Sequence, residues 1–494
     1  MISFLLPEKE LPYNPNNLKS LLEYAKKLEG KTLREATKGK LSSTKKGKGG
    51  IGQLTEELYF FLKNNNSPEP DFINLKIELK TAGLNPTSSK DRHKNISGKW
   101  KAKEALSLSS INYNNIIKEE FLLSSFLKKN KNILLILHKY EKLPPLDLEI
   151  KLTGLLAYEN LSKADKEIIR NDWELMKSKT LEGKAHEFSR GDFEYLELAT
   201  SGTSSSFTTQ PYSDEKVRTR KYSFKAGFMH SIISELSSES SDTISLFEKD
   251  EKNKTLSAKI NDKFKPFVGM NTDSIASKIG ISLEDCKESK QYFSIVSKRL
   301  LKALFTVPDD RKVEEYVEEF SKAEISIKTI RLNKENLPKE HVSFPAFQYE
   351  NIVNELWDDS EFKKQIDKKF LFIFFKESNK KNFVLDKAVY WNMSVEHIDE
   401  AQKVWKETQQ LIKEGKIVKK IKTLKGGKTK KRFSYFPSAK YNLVSHVRPH
   451  AKNAEDTFKL PVKDIHTGLD KYTKHCFWLN REFIRDFIYT GERK

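Results

Sequence analysis

Two short runs of the chain are continuously apolar, Asn132-Ile-Leu-Leu-Ile-Leu137 and Phe370-Leu-Phe-Ile-Phe-Phe375. They fall far short of the ~20 residues that cross a bilayer and read as buried strands. A third stretch, Ile73-Asn-Leu-Lys-Ile-Glu-Leu-Lys80, alternates apolar and polar positions, the period of a half-buried strand. Ile77 and Leu79 are then expected to face the core, with Glu78 and Lys80 together on the opposite face. Lys48-Gly-Gly-Ile-Gly52 reads as a glycine turn feeding an amphipathic helix that carries Glu56. Residues 236–262 break the pattern, being polar, charged and poor in aromatics, and read as a linker or exposed helical spacer.

The halves on either side look related. Trp173 is followed nine residues later by Glu182-Gly183-Lys184, and Trp405 in the same way by Glu414-Gly415-Lys416. Both segments read as amphipathic helices closed by a glycine. Ile77-Glu-Leu-Lys-Thr81 likewise has a counterpart in Ile325-Ser-Ile-Lys-Thr329. Two matches in the same order point to an ancient duplication. The expected layout is a catalytic domain over 1–235, a linker over 236–262 and a second, degenerate copy over 263–494.

Charge then narrows the partner. The 494 residues carry 89 Lys and Arg against 69 Asp and Glu, a net charge of +20, which favours a polyanion such as nucleic acid. With only Cys286 and Cys476, no disulfide framework or four-cysteine zinc site can form, and a reducing, cytoplasmic setting is expected. The N-terminus lacks the basic and apolar regions of a signal peptide, and no membrane association is expected.

Pro70-Asp71 followed by Glu78-Leu-Lys80 forms a P-D-x6-E-x-K arrangement. Two carboxylates converging beside an ammonium can hold Mg2+ against a phosphate oxygen and position an attacking water. Glu56 could reach the same place. The glycine turn lacks the G-x4-G-K-[ST] spacing of a nucleotide-binding loop. Thr200 to Thr209, with Thr203 and Ser204, is a hydroxyl-rich stretch suited to a DNA groove, where short hydroxyls meet donors or acceptors.

Taken in order, Lys48 to Glu56, Asp71-x6-Glu78-x-Lys80, Asp172-Trp173 and Tyr195-Leu196 resemble the MutH superfamily of GATC-specific endonucleases. In its double length the chain resembles that family's restriction branch, the Sau-three-A-I type. The resemblance implies an α/β fold with a mixed-sheet, restriction-endonuclease-like core, present twice. It implies Mg2+ held by Asp71, Glu78 and the upstream acid Glu56, with Lys80 orienting the water. A further family lysine falls on Lys129 or Lys131, with Lys129 preferred. Lys48, and the segment Arg220 to Met229 with Tyr222 and Lys225, resemble DNA-contacting positions, although the family's Arg-Pro recognition pair is missing from this half.

In the second half Lys298 stands opposite Glu56 and Ser326 opposite Glu78, while Lys328 persists and Asp71 falls near Glu319. A hydroxyl and an ammonium cannot replace carboxylates around Mg2+, so this copy should not cut. Ser445-His-Val-Arg448-Pro449-His450-Ala-Lys452-Asn453 resembles the DNA-recognition loop, Arg-Pro pair included. The run Lys425 to Arg432 could hold phosphates. His446 and His450 are expected to be a loop pair without a metal.

The resulting expectation is a type II restriction endonuclease that cleaves duplex DNA at GATC with Mg2+, its second domain an allosteric effector that binds another GATC. A monomer is expected in solution, with a dimer or loop forming on DNA. The alternatives are a mismatch-repair nicking enzyme, which would resemble one half only, and a catalytically silent DNA-binding protein.

Overall fold

Residues 133–137 are completely buried, as a strand covered on both faces requires. This strand organises the first of two units in the computed structural model, which describes residues 4–38, 50–63, 67–88, 99–202, 206–239, 243–247, 254–379, 381–423 and 430–491. Unit 1 comprises residues 1–186, 193–259 and 305–324; unit 2 comprises 187–192, 260–304 and 325–494.

Unit 1 contains β1 (Ile77–Pro86), β2 (Trp100–Ala102), β3 (Leu106–Ser110), β4 (Asn132–Lys139), β5 (Ile150–Ala157), β6 (Leu196–Thr200), β7 (Phe207–Gln210), β8 (Ser213–Arg218) and β9 (Arg220–Phe224). Its main sheet runs β2-β1-β4-β5, with β1 and β4 parallel and the outer pairs antiparallel. A parallel pair needs a crossover, supplied here by residues 100–130 with the helix Ser125–Asn130. A second sheet runs β3-β9-β6, and β7-β8 form a hairpin.

Unit 2 repeats the plan with β10 (Ser326–Leu332), β11 (Val342–Ala346), β12 (Lys369–Asn379), β13 (Asn382–Asn392), β14 (Val418–Thr423), β15 (Lys430–Ser434), β16 (Ser445–Pro449), β17 (Thr457–Lys459), β18 (Lys471–Thr473) and β19 (His475–Leu479). Here β10 and β12 are parallel, β12 and β13 antiparallel, and the second sheet runs β11-β19-β16. The hairpin β17-β18 matches β7-β8, whereas β14-β15 has no counterpart among the described strands of unit 1. The fold is thus mixed α/β in both units.

The duplicated tryptophans lie on helices of 19 residues each, Lys163–Leu181 and Val395–Lys413. Both begin at a serine cap, Ser162 and Ser394, whose hydroxyl accepts the N–H of the third helical residue, and both bury their tryptophan. Gly183 and Gly415 follow at φ +70° and +65°, and a Cβ at either would meet a backbone oxygen at 2.6 and 2.5 Å respectively. Only glycine fits there.

The unit bounds differ from a division at 235 and 262. Residues 243–247 are no free spacer, because Ile244 bridges Val317 and the Glu319 carboxylate accepts from Ser245 Oγ at 2.5 Å and Leu246 N–H at 2.9 Å. That same bonding makes Glu319 a buried brace within unit 1. Residues 187–192 belong to unit 2, where the Asp367 carboxylate accepts the N–H groups of Arg190 and Gly191.

Candidate active site

The strand expected from Ile73 begins only at Ile77. Residues Ile73–Leu75 form a 3-10 turn, and Lys76 takes the left-handed conformation at φ 54°. The turn folds the chain back so that Phe72 bridges Ile77, which places Asp71 beside β1 with its Oδ2 accepting the Leu79 N–H at 2.8 Å. Glu78 is 3% exposed, so it is not on a solvated strand face as alternation suggested.

Lys80 Nζ donates to Glu78 Oε1 at 2.7 Å, and Lys129 Nζ lies 3.8 Å from the same oxygen. The sheet register explains the second lysine. β1 and β4 are parallel, with Glu78 opposite Ile133, so the end of the helix that leads into β4 arrives beside Glu78. Lys129 is further fixed by donating to the Ser67 carbonyl at 2.7 Å. Lys131 instead pairs with Glu159 at 2.7 Å, so the structure brings Lys129 to the site and leaves Lys131 out.

Glu56 comes from the expected helix, which is α-helical over Ile51–Leu54 and widens to a π-turn over Thr55–Tyr59. Gly52 lets that helix approach β1, since a Cβ there would stand 3.0 Å from Thr81 Oγ1. π-Turns recur where a side chain must be re-aimed at a site. Burial, reinforced by Asp71, pushes the Glu56 carboxyl up to about 7. Asp71 is pushed up to about 6 by burial and the nearby Glu78, against the Leu79 N–H and the ammonium groups of Lys80 and Lys129. The three acids therefore share one electrostatic site. Within it, Glu78 Oε2 is buried and has no hydrogen-bond partner.

The family described as DNA mismatch repair enzyme MutH matches residues 60–172, which include Asp71, Glu78, Lys80 and Lys129. The chain is also 32% identical to the type II restriction enzyme Sau3AI of Staphylococcus aureus over 487 residues, 93% of this chain and 96% of that protein. The chain belongs to the Sau3AI family of MutH-like restriction endonucleases. In this nuclease of the family, the acid Glu78 of unit 1 has a serine at the matching place of unit 2. Where Glu78 faces Ile133, the second residue of β4, Ser326 faces Phe370, the second residue of β12.

Other expected contacts are distributed differently. Tyr222 and Lys225 are 3% and 2% exposed and do not present themselves to DNA. The Lys225 ammonium instead donates to the carbonyls of Phe193 at 2.6 Å and Ala323 at 3.3 Å, bracing the start of the helix Ala226–Leu236. Lys48, Thr203, Ser204 and most of the run Lys425 to Arg432 lie outside the described residues. Arg448, Pro449, His450, Lys452 and Asn453 are all exposed at the end of β16. The Arg448 guanidinium stands 5.4 Å from the centre of the Trp478 ring, a cation–π geometry, and the His450 ring meets the same indole edge-on at 5.7 Å. His446 is buried and bonded through Nδ1 to Asn480 Oδ1 at 2.5 Å.

Asp172 takes a bracing role. Its carboxylate accepts the N–H groups of Glu194, Tyr195 and Leu196 at 2.7, 2.7 and 2.8 Å, fixing the entry to β6. Its position beside the repeated tryptophan was the available signal.

Proposed function

We propose that unit 1 hydrolyses phosphodiester bonds of duplex DNA at GATC with Mg2+, and that unit 2 binds a second GATC without cutting and activates the first. The observation that carries the reading is the buried, unpartnered Oε2 of Glu78 beside Asp71 and Glu56.

The donor chemistry fits a divalent cation. Three crowded carboxyl groups face two lysines, and added positive charge would offset the burial and mutual repulsion that raise Glu56 and Asp71. Among the described residues no three His, Cys, Asp or Glu side chains stand close enough to form a full ligand set. Mg2+ takes one or two carboxylates and keeps waters, so Asp71 and Glu78 are the residues that would hold it. When bound, it would neutralise phosphate charge and make water a better nucleophile. Lys80, anchored on Glu78 Oε1, has further N–H donors to orient the attacking water. Lys129 adds positive charge for the phosphate, and Glu56 can take up a proton near neutral pH. Water adds to phosphorus as the bond to the leaving sugar oxygen breaks.

Unit 2 lacks that charge set but keeps Arg448 on an exposed strand end, where an arginine can bind guanine through two bonds. The unpaired, buried Cys286 and Cys476 accord with a reducing cytoplasm, and among the described residues no helix is long and apolar enough to cross a membrane. The test is digestion of plasmids carrying one and two GATC sites, with and without an added GATC duplex. Faster cutting of the two-site plasmid, and stimulation of the one-site plasmid by the duplex, are expected. Equal, unstimulated rates would remove the effector role, and absence of cutting at GATC would remove the recognition assignment.

A further inference from the structure

The second sheets of the two units can be matched residue by residue. In unit 1, Leu106 and Leu196 flank Phe224, and Ser107 and Glu197 flank Ser223. A bulge in β3 then brings Ser110 opposite Lys221, with Ala199 on the other side. In unit 2, Val342 and Ser445 flank Leu479, and Ser343 and His446 flank Trp478. After a bulge at the same step in β11, Ala346 and Arg448 flank Cys476.

One level of the sheet therefore reads Ser110, Lys221, Ala199 in unit 1 and Ala346, Cys476, Arg448 in unit 2. Each level holds one cation and two small residues, the cation on the central strand in unit 1 and on the edge strand in unit 2. Residues directly opposite in a sheet share a face, so Lys221 belongs to the face that carries Arg448 in the other copy. That face is solvent-accessible in unit 1, where Lys221 and Ala199 are both partly exposed. The methyl group of Ala199 leaves the lysine room to extend past it.

We propose that Lys221 reads the DNA for unit 1, filling from the central strand the place that Arg448 holds from the edge strand of unit 2. The ligand is the major-groove edge of guanine, whose O6 and N7 accept from a lysine ammonium as they do from a guanidinium. The inference rests on the reading of unit 1 as a GATC nuclease. It accounts for how that unit can select a sequence without the Arg-Pro pair.

The test uses the full chain with Arg448→Ala throughout, so that unit 2 is silenced. Single-turnover cleavage is measured on a GATC duplex and on one with the guanine replaced by adenine. Lys221→Met is expected to slow cutting of GATC by about 5- to 150-fold while barely changing the substituted duplex. Lys221→Arg should keep the preference, and Ala199→Arg combined with Lys221→Ala should restore much of it. An equal loss on both duplexes, with a shallower salt dependence, would identify a phosphate contact and overturn base reading. No loss at all would overturn the proposal too. If the chain with both Arg448 and Lys221 intact cuts neither duplex, the nuclease reading has failed; if only the Arg448→Ala background is silent, unit 2 is needed for cutting, and in either case anisotropy binding of the same duplexes decides Lys221 separately.

Discussion

The Lys322 ammonium sits 2.8 Å from each carboxylate oxygen of Asp165, 157 residues earlier in the chain. Both side chains are under a tenth exposed, and Glu318 completes the cluster at 2.6 Å. Removing one member of such a pair strands a buried charge, which costs about 3–5 kcal/mol. Lys322→Met should lower the urea midpoint of unit 1 accordingly. Adding Asp165→Asn should recover part of the loss, and a double-mutant cycle measures how much.

Glu78→Gln keeps the shape of the site and removes its central charge. Cleavage should fall at least about a hundredfold, because several kcal/mol of charge stabilisation at the phosphate depend on that carboxylate. Thermal stability should stay level or rise, since the native carboxylate is buried with one oxygen unsatisfied. Plasmid digestion and a melting curve on the same preparation read both outcomes. A chelator should abolish cutting by the parent chain.

Unit 2 should be acid-labile through two histidines. Burial holds His446 and His475 down at about 4, below the ordinary 6.5. The unfolded chain thus takes up these protons first as pH falls. Their contribution to stability is complete above about pH 6.5 and is lost progressively down to about pH 4, by roughly 3 kcal/mol for each ring. Denaturation of His475→Gln and His446→Gln variants across this window should show a flatter pH slope than the parent.

The helix-ending glycines offer a paired test. Gly183→Ala and Gly415→Ala combine left-handed strain with a clash against the carbonyls of Tyr212 and Lys463. Gly280, at φ +76°, has nothing within 4 Å of its would-be Cβ, so Gly280→Ala carries strain alone. The first two should cost clearly more than the ~1 kcal/mol expected of the third. Urea unfolding of the three variants ranks them.

Much of the site was legible because its chemistry is local. Asp71, Glu78 and Lys80 lie within ten residues, and the apolar run 132–137 marked β4 as a buried strand. The burial of Glu78 was not legible, since alternation assigns faces but cannot report that both are covered. Tyr222 and Lys225 looked like surface contacts because sequence does not distinguish an ammonium offered to phosphate from one held by backbone carbonyls. Hardest to see was Glu319. Its partners Ser245 and Leu246 lie more than seventy residues upstream, and no periodicity links segments so far apart.

The placement of residues 305–324 in unit 1 also has a meaning for biosynthesis. A chain that ends before residue 319 lacks both Glu319 and Lys322, leaving Asp165 without its counter-charge. At about 5–20 residues per second, the interval from residue 259 to residue 324 takes roughly 3–13 s of translation. During that interval, and in any product that ends before residue 319, unit 1 lacks these internal braces. Unit 1, although it starts near the N-terminus, can thus be completed only after residues 260–304, which belong to unit 2, have been made.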